Sequence, residues 1–77
     1  MNNSRRAKLS RALDYLDEAM EWVQQVAEEE QDAFDNLPES LQLSENGEKM
    51  EDFVSRISDV YDYLDDQVNE LNDIINT

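Results

Sequence analysis

The chain has no cysteine and no histidine, and only one glycine and one proline in 77 residues. Without cysteine there is no disulfide, and without either ligand type there is no Cys/His zinc site. These are the usual staples of a domain this small, so oligomerisation is the remedy left. A lone glycine cannot build a phosphate-cradling loop, and no alternating Asp/Asn pattern followed by glycine marks a calcium loop. Serines are present but no histidine can activate them, and Lys8 and Lys49 sit among charges, so a nucleophilic enzyme is not expected. One glycine and one proline also leave few turn signals, which predicts few and long elements.

Long apolar runs are missing too. Nothing approaches the roughly 20 residues of a membrane span, and Met1-Asn2-Asn3-Ser4 is not followed by an apolar signal core. The expectation is a cytoplasmic protein without a membrane segment. Bases are scarce: six face twenty acids, for a net charge of −14. Four of the six, Arg5, Arg6, Lys8 and Arg11, lie in one short stretch. A chain so acidic repels DNA and anionic membranes as a whole, so direct nucleic-acid binding is not expected.

What is present is a pattern. Leu9, Leu13, Leu16, Met20, Val23, Ala27, Glu30, Phe34 and Leu37 follow one another in alternating steps of four and three. Met50, Val54, Ile57, Tyr61, Leu64, Val68, Leu71 and Ile75 do the same. Both are heptad seams. They predict an all-α single domain over 1–77: a helix over about 4–34, a connection over about 35–46 and a helix over about 45–75. Asn3 or Ser4 can cap the first helix and Ser44 the second. Pro38 blocks a continuous helix, and Pro38 to Gln42 can form one helical turn. Gly47 weakens the start of the second helix. Leu37, Leu41 and Leu43 are expected to fold over the tip of an antiparallel two-helix hairpin.

Each helix carries a further apolar row. Ala12, Ala19, Val26 and Ala33 are seven apart, as are Phe53, Val60, Gln67 and Ile74, with Tyr15, Trp22 and Tyr63 beyond them. That face is wider than one partner helix covers, which predicts a dimer forming a four-helix bundle, or a larger homo-oligomer. Tyr15, Trp22, Val26, Phe53, Val60, Tyr63 and Ile74 are the candidate oligomer interface. Tyr15, Trp22 and Tyr63, at the margin, are the aromatics best placed to meet an outside partner. With Leu41 at the tip, facing residue numbers total about 82, and Arg5 to Arg11 should then meet Asp65, Asp66, Glu70 and Asp73.

Two acidic features invite chemistry. Glu18 and Glu21, and Glu48 and Glu51, have the Glu-x-x-Glu spacing of all-α nucleotide pyrophosphohydrolases, but heptad phase turns them away from the seam, and a bundle metal site needs inward carboxylates. No metal or cofactor is expected. Glu30, the one charge on the seam, reads as a loop-end residue whose head reaches water, or as a buried acid or register device. Gln67 reads as a satisfied polar group at the interface.

The stretch from Phe34 to Gln42 (Phe34-Asp35-Asn36-Leu37-Pro38-Glu39-Ser40-Leu41-Gln42) and the following Ser44 to Glu51 resemble small acidic helical accessory proteins encoded by phages and prophages of Gram-positive bacteria. The resemblance spans the tip and both flanking helices and carries no catalytic residue. It implies a mobile-element origin and an anti-defence role: a direct inhibitor, a DNA mimic or a sponge for signalling nucleotides. Two mechanisms stay open. Acidic faces built from Asp14, Asp17, Glu18, Glu21, Asp59, Asp62, Asp65 and Asp66 could bind a basic host protein. Alternatively, Arg5, Arg6, Lys8 and Arg11 could hold a small anionic ligand in the oligomer. A structural role is the third reading.

Overall fold

The computed structural model describes all 77 residues, and every element is helical: α1 over Asn3–Asp35, α2 over Glu39–Gln42 and α3 over Glu45–Ile75. The two long helices match their seams to within a residue. α1 starts slightly early because its cap is Asn2 rather than Asn3 or Ser4. Asn2 is extended, and its Oδ1 accepts from the Arg5 N–H at 2.9 Å. Ser44 caps α3, its Oγ accepting from the Gly47 N–H at 3.2 Å. The same hydroxyl donates to the Leu41 carbonyl and so ties α2 to α3. No helix is long and apolar enough to cross a membrane.

α1 and α3 pack against each other, and a hydrogen bond between Arg6, near the start of α1, and Thr77, just past the end of α3, sets them in opposite directions. Near the end away from α2, the Arg6 Nη2 donates to the Thr77 carbonyl at 3.2 Å, 71 residues along the chain. The molecule is a rod of 58 × 15 × 13 Å with a radius of gyration of 17.4 Å. A compact chain of this length would have a radius of about 11.5 Å. Extension follows from two helices, each long enough to span a whole domain, with nothing stacked on either side.

Every seam position from Leu9 to Leu37 and from Met50 to Ile75 is buried or half-buried, the charged Glu30 included. Yet only Met20, Phe34 and Val68 are buried among the apolar side chains, and none is fully enclosed. The accessible surface is 5878 Å². A compact monomer of 9.0 kDa would expose roughly 4,900 Å². One layer of seam side chains is all the core this pair of helices makes.

The tip departs from expectation. Leu37 is half-buried, but Leu41 and Leu43 are exposed, Leu43 by 75%. Gln42 turns inward in their place. Its Nε2 donates to the carbonyls of Phe34 and Leu37, both at 3.2 Å, and so satisfies acceptors left open where α1 ends. Gly47, expected only as a weak point, is buried against α2, and a Cβ there would collide with the Leu41 and Gln42 carbonyls. The missing side chain lets α2 lie on the first turn of α3.

Candidate functional site

The seam divides the rest of each helix into an outer pole and two flanks. Rows turned the same way from the seam on two opposite-running helices fall on the same side of the pair. The second apolar rows of α1 and α3 therefore share a flank. A shallow groove of about 530 Å³ runs along it, lined by Trp22, Val23 and Val26 of α1 and by Phe53, Ile57 and Val60 of α3. The opposite groove, of about 370 Å³, is lined mainly by polar side chains, among them Gln24, Glu28, Asp32, Ser58 and Asp62.

The apolar flank holds most of the large hydrophobic side chains that the fold leaves exposed. Ten large apolar side chains are exposed. Seven of them, Tyr15, Trp22, Val26, Phe53, Val60, Tyr63 and Ile74, belong to this flank, while Met1, Leu41 and Leu43 lie at the ends. Trp22 and Tyr63 are each 63% exposed. These side chains fall on one side of the rod instead of being scattered singly over it, which makes this flank the candidate contact surface. Gln67 sits in the same strip, exposed between Val60 and Ile74.

Charge divides along the same line. On the apolar flank the charged side chains are Arg5, Lys8 and Glu29 from α1 and Lys49, Arg56 and Glu70 from α3, four bases against two acids. On the opposite flank are Asp14, Asp17, Glu21, Glu28 and Asp35 from α1 and Glu48, Glu51, Asp62 and Asp65 from α3, nine acids with no base. Glu18, Asp59 and Asp66 lie on the outer poles beside it. All eight residues expected to form an acidic face are exposed, five of them on this flank and three on the poles beside it. The spacing of residues along the chain does not single out Lys49, Arg56, Glu29 and Glu70. Their shared flank becomes evident only when the rotation sense of two antiparallel helices is followed.

The N-terminal bases do not pair as expected with Asp65, Asp66, Glu70 and Asp73. The ion pairs in the structure are Lys49–Glu45 at 3.5 Å and Arg56–Asp52 at 3.6 Å, both within α3 and both exposed. Heptad phase gives the reason. Arg5 and Lys8 turn to the apolar flank, Arg11 to the outer pole and Arg6 to the seam, whereas Asp65 turns to the acidic flank and Asp66 and Asp73 to the pole of α3; Glu70 shares the flank of Arg5 and Lys8 but pairs with neither. The four bases are therefore spread around the helix rather than gathered in one pocket. Arg6 is half-buried, and its Nε has no partner. The exposed pairs of α3 contribute at most a few tenths of a kcal/mol each.

Glu18, Glu21, Glu48 and Glu51 are all exposed. In the register set by Arg6 and Thr77, Glu21 lies opposite Asp62 and Glu51 opposite Asp32. This separates the two pairs by about 16 Å along the axis, too far to share an ion. No group of three or more acidic side chains is placed to hold a metal.

No family model matches this chain, and no curated protein and no solved structure does so.

Proposed function

We propose that this chain is a non-enzymatic interaction protein: an antiparallel helical hairpin that dimerises through its apolar flank into a four-helix bundle and binds a basic protein through its acidic flanks. One observation carries the reading. The acids are segregated, nine on one flank with no base among them, opposite the flank that holds the exposed hydrophobic strip. Joining two copies by their apolar flanks would turn both acidic flanks outward, where they can occupy an Arg/Lys groove or imitate a phosphate backbone. Electrostatic complementarity of this kind steers association and rejects wrong partners. The role fits the phage-encoded accessory inhibitors that the sequence resembles, acting in the cytoplasm of a bacterial host.

The experiment is a lysate capture at two salt concentrations, with wild type and an Asp59→Lys, Asp62→Lys variant as baits. Both residues are exposed and off the seam, so the fold should survive their reversal. The reading expects basic proteins on the wild type, released by salt because exposed charges are screened beyond about 8–10 Å, and absent from the variant. Equal capture by both baits contradicts it.

A second reading rests on a different observation: none of Arg5, Arg6, Lys8 and Arg11 has a carboxylate partner. Brought together in an oligomer, they could sequester a small phosphate-bearing ligand. A nucleotide that raises the melting temperature of wild type but not of Arg5→Glu or Arg11→Glu would favour this sponge over the acidic-face mechanism.

A further inference from the structure

We infer that the occupant of the apolar flank is a second copy of this chain, selected by the polarity of the charges that border the strip. The inference rests on the dimer reading above and adds what chooses the partner.

The chain as a whole carries −14, so two copies approaching at random repel each other. Only one side relieves this. Four of the six bases border the apolar strip, and the flank itself is net positive, with four bases and two acids. Their order along each helix is the same. On α1 the base Lys8 precedes the acid Glu29 by three heptads. On α3 the bases Lys49 and Arg56 precede the acid Glu70 by three and two heptads. Each flank row is thus positive toward the helix start and negative toward the helix end.

A row with this polarity is complemented by an identical row running the other way. Two rotations bring the flank of one rod face to face with the flank of another. One lays α1 over α3 of the second copy, and the other lays α1 over α1 and α3 over α3. In both, the facing helices are antiparallel, so base-bearing halves meet acid-bearing halves. A two-fold interface is self-complementary in this sense. An unrelated acidic helix would answer the bases but leave Glu29 and Glu70 facing like charge. The size is also appropriate: a face 58 Å long and 15 Å wide is roughly the 800 Å² per partner of a standard stable interface.

The test uses two charge variants. One carries Lys8→Glu, Lys49→Glu and Arg56→Glu. The other carries Glu29→Lys and Glu70→Lys. All five positions are exposed and off the seam, so each chain should keep its helical circular dichroism. The inference expects each variant alone to dissociate at concentrations at least about tenfold above those of wild type, and an equimolar mixture to recover a dimer containing one chain of each. Two variants that self-associate as tightly as wild type overturn it. If they do so while Val60→Asp yields monomers, the bundle reading stands and the charge selection falls. If wild type itself is monomeric at 100 µM, about the range of a weak transient dimer, both fall together.

Discussion

Gly47 lies so close to the carbonyl oxygen of Gln42 that a Cβ on it would collide with that oxygen. A glycine inside a helix ordinarily costs about 1 kcal/mol relative to alanine. Here that cost is offset by the close approach of α2, which closes the tip.

Gly47→Ala should therefore destabilise the protein although it improves helix propensity. Overpacking against backbone costs typically 1–3 kcal/mol, so a net loss of about 1–2 kcal/mol is expected. The melting temperature should fall by several degrees, given about 4–8 °C per kcal/mol for a domain of this size. A rise in melting temperature would show that α2 moves away at little cost.

Gln42→Ala should also destabilise, by about 1–2 kcal/mol, because the Phe34 and Leu37 carbonyls lose their donor. Leu43→Ser, one residue on, should change stability by no more than about 0.5 kcal/mol, since that side chain is exposed. Chemical denaturation of the two variants side by side tests the pairing, and the reverse order would contradict the tip described above.

Gln42 and Leu43 also mark the limit of what the sequence makes legible. The seams from Leu9 to Leu37 and from Met50 to Ile75 can be read because an apolar repeat of 3.5 residues suits a packed helix and neither a strand nor a free loop. Ser44 can be read as a cap because capping is local. Gln42 cannot, because its partners lie five and eight residues back, across a turn whose shape depends on Pro38 and Gly47 together. Leucine at 41 and 43 resembles core by composition, and only the direction of α2 exposes them. The candidate interface from Tyr15 to Ile74 is legible as rows, but its flanking charges are not, because row spacing does not state which rows of two helices share a side.

The indole of Trp22 reports on that flank. It is 63% exposed in the single chain, and a second copy would cover it. Its fluorescence should shift to longer wavelength on dilution below the dissociation concentration, and Phe53→Asp should give the long-wavelength emission at every concentration. An emission maximum independent of concentration, and unmoved by Phe53→Asp, would place Trp22 outside any interface.

The protein should not turn over nucleoside triphosphates in magnesium, because the Glu18/Glu21 and Glu48/Glu51 pairs sit too far apart along the rod to share an ion. Hydrolysis by purified protein, abolished by Glu48→Gln, would overturn the non-enzymatic reading.

The central claim is that the apolar flank is covered by a second copy, and the solution mass tests it most directly. Light scattering at micromolar concentration should give at least twice the 9.0 kDa chain mass, with Val60→Asp reverting to a single chain and Asp62→Lys leaving the mass unchanged. A mass of 9.0 kDa for wild type, with a cooperative melt, would contradict it.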